Sequence, residues 1–387
     1  MPRESRKGRA RSPARVFAPG EILLLRAALL EGQEAVRAWE AWRSLARTPE
    51  LPPSLLGLRP LLYRNLSQMG VCQDPWLQEM AATQRQTWYR NQLLLEEAGT
   101  LLRLFAEGHI ETLLLKGVAL ILRHYPDPGL RPMADLDLLV RGESAAAAFE
   151  LLEQEGWTCA RRPDALGWVE AHGVPFTRGA SRPLDLHWRL FEDCSWRGAD
   201  DDFWAQSVPV DVGGAPTRIL YPTDQLVHVV VSGVRWSANA AIRWVADAVA
   251  VLRSSATRID WPRLVDRAAS HRLSLPLGAG LAELRAVLEL PVPEDVLRDL
   301  ERLPTSRLER WEFRARGRPP HRRGPLLACV LHLTRRARLV RDGGLDPGLG
   351  GLIQAMAREW GVRPGWPLLV EALPRGLRRL WAGVRPF

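Results

Sequence analysis

The sequence predicts an α+β protein, a small core with a mixed β-sheet flanked by N-terminal and C-terminal helical regions. Three observations predict it. Apolar residues recur at helical spacing from residue 21 to about residue 106. At Ile110 the pattern changes to short apolar or alternating runs separated by turns. After Pro222 helical spacing returns, and from about Pro304 the chain becomes rich in Arg, Gly and Pro.

Taken in order, residues 1–15 carry Arg3, Arg6, Lys7, Arg9, Arg11 and Arg15 and read as a disordered basic tail. Residues 16–106 are expected to hold about four helices, interrupted at 49–53 and 70–75 where prolines and a glycine break the pattern. Trp39, Trp42, Trp76 and Trp88 are expected there as core or rim aromatics. The core is expected over 107–215. Residues 110–115 suit a buried strand ended by Lys116–Gly117, a helix starts at Val118, and Tyr125–Pro126–Asp127–Pro128–Gly129 forces a loop. Residues 134–140 alternate Asp and Leu as a strand does, 144–154 are helical with Gly156 as cap, and 174–178 and 183–190 read as two strands joined by a turn at 179–182. A helical domain follows over 216–303, with Thr223 or Asp224 capping its first helix and Asp260 with Pro262 starting its third. Residues 304–387 form an Arg-rich C-terminal helical region.

Composition narrows the function classes. No apolar run approaches the ~20 residues that span a bilayer, and no long hydrophobic segment follows the basic tail, so neither a membrane span nor a secretory signal is expected. Cys72, Cys159, Cys194 and Cys329 form no CxxC pair and predict neither a metal clip nor a disulfide framework. A cytoplasmic protein is expected. The net charge of +9 raises the question of nucleic acid. However, 51 of the 53 basic residues are arginine, which is a bias of the whole chain, and the excess at 314–323, 335–341 and 375–385 suits a solvated face. Against that bias Lys116 stands out, because lysine is the compact point charge suited to a phosphate near tight backbone.

In Asp135–Leu136–Asp137 the carboxylates are two residues apart on a strand, so both project from one face. Two adjacent carboxylates repel, and a divalent cation relieves this; magnesium prefers carboxylate oxygen, with substrate phosphate completing its shell. Pro183–Leu184–Asp185–Leu186–His187–Trp188 alternates in the same way and puts Asp185 and His187 on one face. A third carboxylate on a neighbouring strand would complete a cradle for two metal ions. Lys116–Gly117, where a strand enters a helix, offers backbone N–H groups and a charge for phosphate. Arg131 ends the loop four residues before Asp135 and is a further phosphate candidate, and His187 a candidate for positioning nucleotide, acceptor or a metal-bound water. His172 and His228 are read as packing or loop histidines, and Trp188 and Trp244 as core.

The run Leu114–Leu115–Lys116–Gly117, the segment from Tyr125 through Ala134–Asp135–Leu136–Asp137–Leu138–Leu139–Val140, and Asp185–Leu186–His187–Trp188–Arg189 together resemble a poorly characterised bacterial nucleotidyltransferase-like family of the DNA polymerase beta superfamily. The resemblance covers about residues 100–300, where Trp244, Asp247 and Ile259–Asp260–Trp261 also look like the family's helical domain. It implies a minimal nucleotidyltransferase core, two Mg2+ ions and a nucleoside triphosphate. It also implies that Asp135 and Asp137 bridge the metals, and that Asp185 binds the catalytic one and helps deprotonate the acceptor. Two departures stand out: Lys116–Gly117 replaces the usual Gly-Gly or Gly-Ser, and the spacing from Gly117 to Asp135 is long, with the loop at 126–132 absorbing the excess.

The expected reaction moves a nucleoside monophosphate, AMP first, onto a hydroxyl or phosphate of a small molecule or peptide. The alternatives are a non-catalytic binding or regulatory module on the same fold, and modification of nucleic-acid ends gripped by the Arg-rich termini. The first would be favoured by loss of a carboxylate, and all three are present. The second predicts binding that weakens steeply with salt.

Overall fold

Among the described residues four α-helices precede the first strand, as the apolar spacing predicts: α1 (Pro19–Leu29), α2 (Gly32–Leu45), α3 (Arg59–Gln68) and α4 (Pro75–Glu107). The computed structural model describes residues 17–342 except 47, 49, 161, 164–167, 169–170, 237–241, 255–258 and 318–324. The expected basic tail at 1–15 and the arginines of 375–385 lie outside the described residues. Helix α4 starts sharply because the Asp74 carboxylate accepts the backbone N–H groups of Trp76 and Leu77 and Pro75 takes a position that needs no N–H donor. Its Leu94, Leu101, Leu102 and Phe105 are buried. Trp39 and Trp42 are buried and stacked 5.2 Å apart, Trp76 meets Trp42 edge-on, and Trp88 is exposed.

Next come β1 (Thr112–Leu114), α5 (Lys116–Arg123), β2 (Leu136–Val140), α6 (Ala145–Gln154), β3 (Thr158–Cys159), β4 (Gly173–Thr177), β5 (Leu184–His187), the short α7 (Asp201–Ala205), β6 (Val208–Val212) and β7 (Ala215–Ile219). The strands form one sheet in the order β3-β4-β5-β2-β1-β7-β6. It is mixed, as expected: β2 pairs parallel with β5 and β1 with β7, and the other pairs are antiparallel. Helix α5 packs on β2, and α4 on β6 and β7.

Three sequence expectations shift. Helix α5 begins at Lys116, two residues ahead of Val118, so Lys116 is its first residue and not the end of a strand. Strand β2 begins at Leu136, which leaves Asp135 just outside it. The hairpin β6–β7 was not expected, and it carries the sheet to Ile219, beyond the expected limit at 215. Pro209 and Pro216 obscure its alternation, and it sits at the sheet's edge, where proline is tolerated.

The remaining helices are α8 (Pro222–Trp236), α9 (Arg243–Ser254), α10 (Trp261–Ser270), α11 (Ser274–Leu288), α12 (Glu294–Arg302), α13 (Arg307–Arg316) and α14 (Pro325–Arg341). Asp260 caps α10 through the Arg263 N–H, as its place before Pro262 predicts. Helix α8 packs on α9, α10 and α11, while α1 packs on α3, α9 and α11, so the first and second helical regions share a core. Among the described residues no helix is long and apolar enough to cross a membrane.

Candidate active site

Strand β2 lies inside the sheet and is buried along its whole length, so its polar residue is an exception that calls for a partner. That residue is Asp137, 4% exposed. Parallel pairing sets Asp137 opposite Asp185 and Leu139 opposite His187, which puts both carboxylates and the imidazole on one face. One ligand atom from each of Asp137, Asp185 and His187 lies within 4.8 Å of the other two. Asp135, expected from the sequence to hold metal with Asp137 and Asp185, precedes the strand, and the third residue within this distance is His187. Asp135 remains near enough to Asp137 and Asp185 for their charges to interact.

Strand β1 brings the cation. Its last pairing continues in the Leu115 N–H, which donates to the Asp137 carbonyl at 3.0 Å. Lys116 follows, and its Nζ lies 2.5 Å from Asp137 Oδ1. His187 Nε2 reaches the same oxygen at 3.2 Å. Lys116 has φ +43°, the left-handed region that favours glycine and costs other residues about 1–2 kcal/mol. The backbone at Lys116 thus takes a conformation more usual for glycine, under a lysine side chain. Leu115 gives no side-chain cap, which leaves the first N–H groups of α5 without a side-chain acceptor at the helix start.

The carboxylates differ in acidity. Burial raises Asp137, but the His187 hydrogen bond and the Lys116 charge outweigh it and hold Asp137 well below the usual carboxylate range. Burial, then repulsion from Asp137, raises both Asp135 and Asp185. Among the described residues, no side-chain hydrogen bond or ion pair compensates Asp135 or Asp185. An ionised Asp137 beside two carboxylates without partners is a donor set that suits a divalent cation.

Residues 55–289, more than half of the chain, match the family described as uncharacterised nucleotidyltransferase. The chain belongs to that nucleotidyltransferase family. No curated protein matches it. Similar solved structures include an antigenic nucleotidyltransferase-like protein from Paracoccidioides brasiliensis, at 13% identity and TM-score 0.37 over 54% of this chain and 93% of that one. Another is the antibiotic-resistance factor ANT(2'')-Ia, at 14% identity and TM-score 0.32 over 52% of this chain and 96% of that one.

Two of the residues expected to contact phosphate also have structural partners within the fold. Arg131 is 6% exposed, and its guanidinium is engaged bidentately by Asp247 of α9, at 2.8 and 2.9 Å. Tyr125 donates to the same carboxylate at 2.8 Å, and Asn91 of α4 donates to the Pro128 and Arg131 carbonyls. Arg131 therefore clamps the 126–132 loop between α4 and α9. Gly117 has a packing role as well: a Cβ there would lie 2.7 Å from Met133 Sδ and 2.8 Å from Arg131 Nη1, so the absent side chain lets the loop close on α5.

The sequence reading also set aside two histidines that lie here. His228 of α8 is 2% exposed, and burial followed by the Lys116 charge lowers it to about 3. The His172 ring lies 5.2 Å from that of His187, and burial followed by the His187 charge lowers it to about 3. His172 directly precedes β4, which pairs with β5, and the charges of Lys116, Asp137 and His187 reach His228 of α8. No local motif marks either.

Proposed function

We propose that this chain transfers a nucleoside monophosphate, with AMP the first candidate, from a nucleoside triphosphate to a hydroxyl or phosphate of a small molecule or peptide in the cytoplasm. The observation that carries the proposal is the register of Asp137 against Asp185 on two parallel strands, with Asp135 beside them and the start of α5 adjoining. Asp135, Asp137 and Asp185 are the residues to hold divalent cations, for which magnesium is the first expectation. Such ions, when bound, neutralise triphosphate charge and lower the pKa of a coordinated hydroxyl.

The chain's own residues divide the rest of the work. Lys116 Nζ is 41% exposed at the side chain and close enough to swing from Asp137 to a phosphate that competes for it. The N–H groups at the start of α5 give that phosphate a second set of donors. Asp185, made more basic by burial and by Asp137, is the residue to receive the acceptor proton.

A second reading, the non-catalytic module, is favoured by one observation. Lys116 already supplies Asp137 with a cation at 2.5 Å, so the fold does not require a metal to neutralise that carboxylate. One experiment separates the two: incubation of the full chain with each labelled nucleoside triphosphate, a divalent cation and cell extract, followed by mass spectrometry. A mass increase of one nucleoside monophosphate on an extract component, with pyrophosphate released, is expected. Triphosphate binding without any adduct would favour the module.

A further inference from the structure

We infer that His187 is a nitrogen ligand to the cation held between Asp137 and Asp185, and that this position therefore favours a first-row divalent ion such as manganese, cobalt or zinc over magnesium. The inference deepens the reading above and rests on its claim that these carboxylates hold a cation.

Geometry comes first. A ligand atom of His187 joins one oxygen each from Asp137 and Asp185 within 4.8 Å, a spacing that one ion can bridge. The imidazole has a defined orientation. It is 7% exposed, and its Nε2 faces Asp137 at 3.2 Å, so Nε2 is the atom turned to the carboxylates. Its Nδ1 is buried without a hydrogen-bond partner among the described residues and rests against Gly173 of the neighbouring β4, where a Cβ would come within 2.7 Å of it. A side chain at 173 would push the ring from this place. The absent Cβ thus keeps room for an imidazole at a position where the ring meets the two aspartates.

A second observation, independent of the trio, comes from α8. His228 is 2% exposed, its Nδ1 has no hydrogen-bond partner among the described residues, and it lies near enough to Lys116, Asp137 and His187 for their charges to act on it. A buried nitrogen that nothing satisfies is destabilising. Within range of the trio's charges, His228 is a further imidazole available to a water of a bound ion. The surroundings of the cation are thus richer in imidazole than a site for magnesium needs. Magnesium takes oxygen in near-ideal octahedra, whereas imidazole shifts preference toward later divalent ions.

The test uses the full chain and Mn2+ alone. Binding is followed by electron paramagnetic resonance, and electron spin-echo envelope modulation then reads nitrogen bound directly to the ion. Wild type is expected to bind one ion with imidazole coupling at this position. That coupling should vanish in His187→Gln and persist in His172→Gln and His228→Gln. Mn2+ should also outcompete Mg2+ by about tenfold more in wild type than in His187→Gln. Bound Mn2+ without nitrogen coupling in wild type would overturn the inference and leave the carboxylate site standing. No bound Mn2+ at all would overturn both. The wild-type spectrum needs no variant, and persistence of coupling in the His172 and His228 variants assigns it to His187 even if His187→Gln fails to fold.

Discussion

Asp137 and Asp185 are neighbours of the same type with opposite tendencies, and the difference lies in their partners. Asp137 is held ionised by His187 and Lys116, whereas Asp185 has only charge neighbours and is raised by burial and by Asp137. Removing Asp185 should therefore spare the docking of a triphosphate near Asp135, Asp137 and Lys116. We expect Asp185→Ala to bind ATP within a few-fold of wild type, read by calorimetry, and to lose turnover by roughly a thousandfold, as a group acting at the transition state does. Unchanged turnover would remove Asp185 from the chemistry. A second carboxyl tests stability instead. Burial raises Asp200 to about 7; its Oδ2 accepts the Leu190 N–H at 2.9 Å, and its Oδ1 is buried without a hydrogen-bond partner among the described residues. Because the folded value lies above the unfolded one of 3.8, its contribution is fully present below about pH 4 and is lost as pH rises toward 7. Asp200→Asn should thus stabilise the protein at pH 8 by ~1–3 kcal/mol and leave it nearly unchanged at pH 4, measured by denaturant unfolding. Equal effects at both pH values would contradict the assignment. Taking the difference between variants cancels the opposing trend of His124, lowered to about 4 by burial, and of His172 and His228, which all lose stability as pH falls below about 6.5.

At the scale of elements, the 126–132 loop holds its place through ion pairing across the chain. Asp247 receives Arg131 and Tyr125 from 116 and 122 residues away. Arg131→Met would strand the Asp247 carboxylate in the core at a cost of ~3–5 kcal/mol, and Arg131→Met with Asp247→Leu should recover much of it. Thermal unfolding of both proteins checks this; a single variant as stable as wild type would contradict the buried pairing. This pairing also shows where reading the sequence runs out. The alternation in Asp135–Leu136–Asp137–Leu138 and in Leu184–Asp185–Leu186–His187 was legible because period two is a local property of strands, and both runs became neighbouring strands in register. The caps at Asp260 and the four helices before the sheet were legible for the same reason. What Arg131, Lys116 and His228 touch depends on tertiary packing, and no periodicity in the chain encodes it. The hairpin β6–β7 was hidden by its prolines.

At the scale of the molecule, the sheet and the helices behind it serve to hold three carboxylates and one lysine at the junction of β1, β2 and β5. Net charge contributes little to that junction: the +9 excess is spread through arginines, whereas the site turns on Lys116, one of two lysines in the chain. If charge at the chain ends gripped a polyanion, binding of single-stranded nucleic acid would weaken with salt at a slope of about −0.7 per phosphate contacted. We expect no saturable binding of that kind at 150 mM salt (about physiological ionic strength), checked by fluorescence anisotropy with a labelled oligonucleotide. The central claim is that the carboxylates form a cation-dependent triphosphate site, and calorimetry of ATP binding to wild type and to Asp137→Asn, with and without a divalent cation, tests it most directly. Wild type should bind ATP only when the cation is present, and Asp137→Asn should lose that dependence together with most of the affinity while unfolding cooperatively like wild type. Equal ATP affinity in the two proteins, with or without the cation, would contradict the account.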